Sequence, residues 1–288
     1  MTNDIVTYTN HLGLMVELNK PSVTNMPICD VVDLRPFMFL TDKGGTIAGT
    51  KDFDLTIISR SYIWANTVVN RLTADAHSSK FGVLRVNNWY LRCRCLGITN
   101  IDTESRETGS EGVYKFTAKF EAPNLLWADK RWYKYNSSTS KFYARNSTDT
   151  GWSATGTSII DIYDNDGAQY AVSMTCSDPY STDVGTVNGN FSFDAIDIDL
   201  NNNEFASETY KISFTSAQSI RSDYISKTLI YIAGEANGYS AMDSVPDDSD
   251  WFASHPYAAR FKIRNLQGTV TNSIYFAVHR LRGMPEWA

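Results

Sequence analysis

Apolar and polar positions alternate over several stretches of the chain, the pattern of a strand that buries one face and wets the other. It is clearest at 113–120, where Tyr114, Phe116, Ala118 and Phe120 interleave with Lys115, Thr117 and Lys119. The same alternation predicts strands at 52–58, 81–86 and 89–96, and an opening strand at 12–18 that Lys20-Pro21 ends. A second apolar stretch, 30–40, is broken by Pro36, and Asp42-Lys43-Gly44-Gly45 reads as a turn. Between 61 and 79 the period changes. Trp64, Val68, Leu72 and Ala76 recur every four residues, Ile63 and Val69 widen the stripe, and Ser59 or Ser61 is placed to cap it. This predicts one amphipathic helix of about five turns, with Asn66, Asn70, Arg71 and Asp75 on a solvated face.

Residues 136–150 are rich in Ser, Thr and Asn, which places a domain boundary there and divides the chain into 1–135 and 136–288. Past it, short strand-like runs at 158–163, 169–176, 190–199, 209–215, 228–233, 259–263 and 273–281 have the spacing of a β-sandwich, a jelly roll or a similar fold. In the first half, the charged, Gly-bearing stretch 103–112 is expected to project as a loop. A chain of 288 residues agrees with two domains at about 100–200 residues each. With 16 Tyr and 14 Phe, and with Glu and Lys sparse, the fold class expected is mainly β.

The formal net charge is −6, which argues against a nucleic-acid backbone or an anionic membrane as partner of the whole surface. The charge is unevenly divided, +2 over 1–135 and −8 over 136–288. No apolar run approaches the roughly 20 residues of a membrane span, and the first ten residues lack the basic start and apolar stretch of a signal peptide, so synthesis in a cytosol is expected. Cys29, Cys93, Cys95 and Cys176 are too few and scattered for a disulfide framework. Cys93 and Cys95 would share the buried face of a strand, with Arg92 and Arg94 on the wet one.

Candidate chemistry is sparse. The four histidines, His11, His77, His255 and His279, fall in separate elements without metal-ligand spacing, and no G-x-S-x-G, Walker or G-x-G-x-x-G motif occurs. Neither a catalytic site, a metal nor a cofactor is expected. Asp161-Ile162-Tyr163-Asp164-Asn165-Asp166-Gly167 has the look of a calcium loop but misses the EF-hand register, with Ser173 at its twelfth position. A hairpin turn built on Asp-Asn-Asp-Gly is the preferred reading. Asp194, Asp197 and Asp199 read as edge or surface charges. Trp251, Phe252 and Tyr257, in the loop 247–256 and just beyond, are the candidate ligand or partner contacts, since aromatic faces stack on sugar rings; anchoring of that loop to the core is the competing reading. Trp127, Trp132, Tyr133 and Tyr135 are candidates to seal the joint between the halves.

One order of elements is informative: an opening strand containing Leu12-Gly13-Leu14, a strand at 52–58, a single helix, two strands including Tyr90-Leu91-Arg92-Cys93-Arg94, a charged loop, and a last strand running Phe116-Thr117-Ala118-Lys119-Phe120-Glu121-Ala122-Pro123. This order resembles the N-terminal belt domain of the distal tail proteins of long-tailed (siphovirus-type) bacteriophages, itself similar to the tail-tube fold. In that family the last strand commonly ends in Phe, a few residues, then Asp-Pro and an aromatic. Here Phe120 and Pro123 are kept, and Ala122 stands where Asp is usual. The resemblance implies a tail-tube-like β-sandwich or barrel with one helix over 1–135, and a peripheral β-sandwich, jelly-roll or galectin-like, over 136–288. It further implies a virion protein of the tail tip. Such a protein forms a homo-oligomeric ring, a hexamer in the family, that joins the tail tube to the baseplate hub beside tape-measure and receptor-binding proteins. Alternatives from other classes are a carbohydrate- or receptor-binding sandwich module, with a host cell-surface glycan as partner, and a tail-tube or tail-terminator protein.

Overall fold

The computed structural model describes residues 5–19, 29–33, 51–104, 113–122, 126–145, 151–224, 228–232, 239–240, 251, 255 and 257–282. The chain is mainly β, as its composition and alternation predict, with one helix among the described residues. It divides into two compact units, Met1–Asp129 with Arg282–Ala288, and Lys130–Leu281.

In the first unit the strands are β1 (Val6–Thr9), β2 (Met15–Glu17), β3 (Cys29–Asp33), β4 (Lys51–Ser59), β5 (Gly82–Val86), β6 (Trp89–Glu104), β7 (Val113–Ala122) and the start of β8 (Trp127–Asn136), with helix α1 (Tyr62–Ser78) after β4. All pairings are antiparallel. One sheet runs β2, β1, β5, β6, with Trp89 and Tyr90 of β6 pairing Asp129 and Ala128 of β8; the other runs β3, β4, β7, β6. Strand β6 therefore serves both sheets, changing partner from β5 at Cys93 to β7 at Arg94. A bulge between Cys95 and Gly97 follows the change, and Leu96 within it is exposed on the face of Arg92 and Arg94. Cys93 and Cys95 are buried and Arg92 and Arg94 lie on the opposite, partly exposed face, as the two-residue period requires. On β4 and β7 the alternation holds, and Phe53 stacks on its register partner Phe120 at 5.3 Å. Such fully buried rings each contribute about 1.5–3 kcal/mol.

Helix α1 is capped by Ser61, whose Oγ accepts from the Trp64 N–H at 3.4 Å, and ends at Ser79 in the left-handed region at φ 54°. Its buried stripe is Ala65, Val68, Leu72 and Asp75. The expected four-residue repeat of Trp64, Val68, Leu72 and Ala76 drifts about 40° per step around a helix of 3.6 residues per turn, so only its middle stays inward. Ile63 is exposed, and Trp64 is partly buried with its Nε1 donating to the Glu17 carbonyl at 3.3 Å. Asp75, assigned to the solvated face, is fully buried.

The opening strand differs from expectation. Leu12-Gly13-Leu14 forms the turn between β1 and β2, with Gly13 at φ 78° and both leucines exposed. Asn10 makes that turn by accepting the Leu12 and Leu14 amides on its side chain at 3.1 and 3.0 Å. Of the stretch 30–40 the first four residues belong to β3, and 34–40 lie outside the described residues, as do the turn at 42–45 and the loop residues 105–112.

The second unit holds the rest of β8, then β9 (Lys141–Arg145), β10 (Trp152–Ala154), β11 (Ile160–Thr175), β12 (Thr186–Ile198), β13 (Glu204–Asp223), β14 (Thr228–Ile232), β15 (Tyr239–Ser240), β16 (Ala258–Thr271) and β17 (Ser273–Arg282), whose last residue is assigned to the first unit. One sheet runs β11, β16, β12, β13; the other runs β17, β11, β13, β14, β15. Two long strands, β11 and β13, thus pass from sheet to sheet and close the sandwich at its corners. The corner of β11 is the acidic stretch. The expected hairpin at 161–167 is instead a bulge within one continuous strand, between Tyr163 and Ala168, with Gly167 at φ 71°. Asp161 is held by Arg260, Nε to Oδ1 at 2.6 Å and Nη2 to Oδ2 at 2.5 Å, and the buried Asp164 accepts from Arg280 Nη1 at 3.0 Å. Both carboxylates are matched by arginines of β16 and β17, so this stretch is a sheet corner.

The polar residues 137–140 are the turn of the hairpin formed by β8 and β9, with Ser140 at φ 53°. The division between the units falls upstream of that turn, between Asp129 and Lys130 within β8, and 146–150 lie outside the described residues. Phe142 of the hairpin is fully buried and meets Phe276 edge-on at 5.7 Å, which ties the hairpin to the core built around Phe193, Tyr210, Phe261 and Phe276.

Candidate functional site

The aromatic group expected to contact a ligand does not form one accessible face. Trp251 is 2% exposed: its ring stands edge-on to Phe193 at 5.7 Å and Tyr210 at 5.4 Å, and its Nε1 donates to the Lys211 carbonyl at 2.8 Å. A buried carbonyl partner and two aromatic walls satisfy both ends of the indole, so the ring anchors its loop to the core. Phe252 lies outside the described residues. Tyr257 is exposed and lies over Gly167, where an added Cβ would sit 2.4 Å from its Cε1. Trp127 is buried in the first unit's core, while Trp132, Tyr133 and Tyr135 are partly exposed on the β8–β9 hairpin of the second.

The histidines and acids do meet, in pairings hidden from the linear sequence. In the first unit, Asp75 of α1 accepts a hydrogen bond from the Tyr8 hydroxyl of β1 and another from the His11 backbone N–H at 2.8 Å, and its Oδ1 lies 2.5 Å from His11 Nδ1. Ser78 Oγ lies 3.1 Å from that same Nδ1. Burial, with the neighbouring Cys93 and Asp75, pushes the Tyr8 hydroxyl well above its ordinary range, so it stays a donor. In the second unit, His255 Nδ1 donates to Asp197 at 2.9 Å, its Nε2 lies 3.2 Å from the Tyr210 hydroxyl, and its backbone N–H donates to the Tyr170 carbonyl at 2.6 Å. Asp197, expected at a surface or edge, is fully buried. That burial pushes its carboxyl above the ordinary range, opposed by the bond and charge of His255. A third pair joins β11 to β17: Ser173 Oγ, which accepts the Tyr224 N–H at 2.9 Å, is hydrogen-bonded to His279 Nε2 at 2.6 Å.

These sets contain the side chains of acid–base and nucleophilic chemistry, yet Asp75, Asp197, Ser173, His255 and His279 are all buried. Their geometry fastens elements: a helix to a strand, a loop to a sandwich, and one strand to its ladder neighbour. Among the described residues no group of three or more His, Cys, Asp or Glu is placed to hold a metal ion, and no helix is long and apolar enough to cross a membrane. Of these positions only Asp75 carried a signal in the sequence. It falls three residues after Leu72 and seven after Val68, on the apolar stripe itself.

Two groups of exposed apolar side chains in the first unit fall near α1. Leu12, Leu14 and Met15 surround the β1–β2 turn, where the Met15 carbonyl accepts from Arg71 and His11 meets Asp75 in the helix's second half. Tyr62 and Ile63 begin the helix, with Tyr62 against Tyr114 at 5.7 Å.

No protein-family model matches the chain, and no curated protein matches it. Solved structures do. A chain in the structure of the phage P2 baseplate in its activated conformation with Ca is similar at 13% identity and a TM-score of 0.52, covering 99% of this chain and 100% of that one. A chain from the phage P2 baseplate in its activated conformation with Sr gives 12% identity, a TM-score of 0.50 and 99% of each chain. The likeness is one of fold. It extends over both units.

Proposed function

We propose that the chain is a structural protein of a bacteriophage virion, seated in the tail-tip baseplate as a distal tail protein. The observation that carries this reading is the end-to-end likeness in fold to a chain of the phage P2 baseplate. A shared single domain would be weak support, because folds host many functions; here the likeness covers 99% of this chain and 100% of the other. The order of strands and helix over 1–135, which resembles the belt domain of distal tail proteins, supports the finer position. In this reading 1–135 assembles as a ring, a hexamer, that joins the tail tube to the baseplate hub, and 136–288 stands at the periphery. Exposed Leu12, Leu14, Met15, Tyr62 and Ile63 give the first unit apolar surface for contacts between copies. Two different patches on one subunit suit the head-to-tail contacts that close rings. The reading assigns no catalysis to the chain; its partners are further copies, the tail-tube, hub and tape-measure proteins.

Mass measurement and electron microscopy of the purified chain test this. Ring particles are expected, with Leu14→Asp and Ile63→Glu lowering assembly while leaving the melting temperature within about 2 °C of the parent. A chain that stays monomeric at high concentration, without rings, overturns the ring. Rings that stack into long tubes favour a tail-tube role over a distal one.

A further inference from the structure

The corner of β11 gathers exposed groups from three elements. Asp161 and Tyr163 alternate with the buried Ile160 and Ile162, so both stand on the outer face of the sheet formed by β11, β16, β12 and β13. Tyr163 is the register partner of Arg260 on β16. The Arg260 guanidinium donates to Asp161 from Nε at 2.6 Å and from Nη2 at 2.5 Å, and to the Asn202 side-chain carbonyl from Nη1 at 3.1 Å. One planar cation thus fixes a carboxylate of β11 and an amide of the β12–β13 turn. The turn is held from within as well: Asp199 accepts the Asn201 and Asn203 N–H groups at 2.8 Å each and Asn203 Nδ2 at 3.0 Å, and Asn202 sits at φ 64°.

Water reaches all three groups. The side chains of Arg260 and Asp161 are 31% and 37% exposed, Asn202 is exposed, and Asn202 Nδ2 has no partner among the described residues. Tyrosine rings flank them: Tyr163 is 62% exposed, and Tyr257, 63% exposed, lies over Gly167 at the far end of the same bulge. The carboxylates here are matched by neighbours, Asp161 by Arg260, Asp164 by Arg280 and Glu204 by Arg264, and Lys262 is the register partner of Asp161. The corner therefore presents donors and acceptors fixed in advance beside exposed aromatic rings, and its arginines are already engaged.

A sugar ring is the complement of both features, with a C–H face that packs on an aromatic ring and a rim of hydroxyls that each donate and accept. We propose that this corner binds a neutral polysaccharide, with one sugar ring on Tyr163, its hydroxyls bonded to Asp161, Arg260 and Asn202 Nδ2, and the chain continuing over Tyr257. Because Arg260 and the turn hold these groups before the ligand arrives, little side-chain freedom is lost on binding. An acidic glycan or a nucleic acid is less well matched, since its anions would meet the Asp161 carboxylate and find Arg260 engaged. The inference stands independently of ring assembly, since all these residues belong to the second unit.

The test is calorimetric titration of the full-length chain with isomaltohexaose, laminarihexaose, chitohexaose and mannohexaose, with oligogalacturonate as the acidic comparison. At least one neutral hexaose is expected to bind, more tightly than oligogalacturonate and with affinity changing less than about twofold between low and physiological salt. Tyr163→Ala is expected to weaken that binding about tenfold. Asn202→Gly, which keeps the left-handed turn and removes the amide, is expected to weaken it about fivefold. Tyr163→Phe, which keeps the ring, and Thr269→Ala, at the far end of β16, should bind as the parent does; circular dichroism confirms that each variant is folded. Failure of all four neutral sugars to bind, tighter binding of oligogalacturonate, or parental affinity in folded Tyr163→Ala and Asn202→Gly overturns the proposal. If no sugar binds and Tyr163→Ala changes the oligomeric mass, the corner is a protein contact instead.

Discussion

The hydroxyl of Tyr8 donates to the carboxylate of Asp75, 67 residues along the chain, and that bond fixes helix α1 to strand β1 in the interior of the first unit. A buried carboxylate is tolerated only when its oxygens are matched, and here a phenol, a backbone N–H and an imidazole match them. Tyr8→Phe is expected to lower unfolding free energy by about 1.5–3 kcal/mol, the range for a hydrogen bond to a charged group. Asp75→Ala, which leaves three polar partners facing a cavity, should cost roughly 3–5 kcal/mol. Urea denaturation of each variant measures both, and equal small effects would mean that water reaches the site.

Gly82 is required by the same network. A Cβ at this position would lie 2.4 Å from the Thr9 carbonyl oxygen, 2.6 Å from Asp75 Oδ2 and 2.6 Å from the Tyr8 hydroxyl. Gly82→Ala must therefore push β5 from β1 or displace the carboxylate, and a loss of about 2–4 kcal/mol is expected. In Gly82→Ala combined with Tyr8→Phe, the two losses should sum to more than the double variant shows, because the substitutions relieve one crowded point. Additive losses would place the clash elsewhere.

Asp197 gives the second unit a pH dependence of defined sign. Its carboxyl is raised in the folded chain by burial, so the folded state holds a proton that the unfolded chain releases at the ordinary value of 3.8. Below that value the contribution to stability is fully present; as pH rises through the folded value it is lost. Asp197→Asn keeps an oxygen to accept from His255 and removes the titration. The stability difference, variant minus parent, is expected to grow in the variant's favour from about pH 4 upward, to a plateau. Denaturation series at several pH values measure it, and a flat difference would contradict the assignment.

The thiols of Cys93, Cys95 and Cys176 are buried, and burial pushes Cys95 up to about 11, Cys176 up to about 12 and Cys93 higher still. Thiolate is the reactive form, so all three should be inert near neutral pH while the chain is folded. Titration with a chromogenic disulfide reagent is expected to detect no more than Cys29 in the native protein and all four cysteines after denaturation. Rapid native reaction of two or more would show that a core opens.

Local pattern and tertiary setting divide cleanly in this chain. The period-two alternation of Phe116, Ala118 and Phe120, the sharing of one face by Cys93 and Cys95, the Ser61 cap and the mainly β class follow from backbone geometry and side-chain size, which act over a few residues and are legible in sequence. Continuity and partnership are not. Asp-Asn-Asp-Gly reads as a turn because those residues tolerate positive φ, but a bulge needs the same tolerance, and only the pairing of β11 with both β16 and β17 makes it one. Leu12-Gly13-Leu14 alternates like a strand, yet Asn10 draws it into a turn. Trp251 is an exposed aromatic or a core anchor according to whether the Lys211 carbonyl and the Phe193 ring come to meet it. The charges show the division most plainly. The sequence sets how many acids there are, but whether Asp75 and Asp197 are solvated is decided by which phenol or imidazole arrives from a distant strand or loop, because a carboxylate can leave water only where other groups replace the bonds that water gave it.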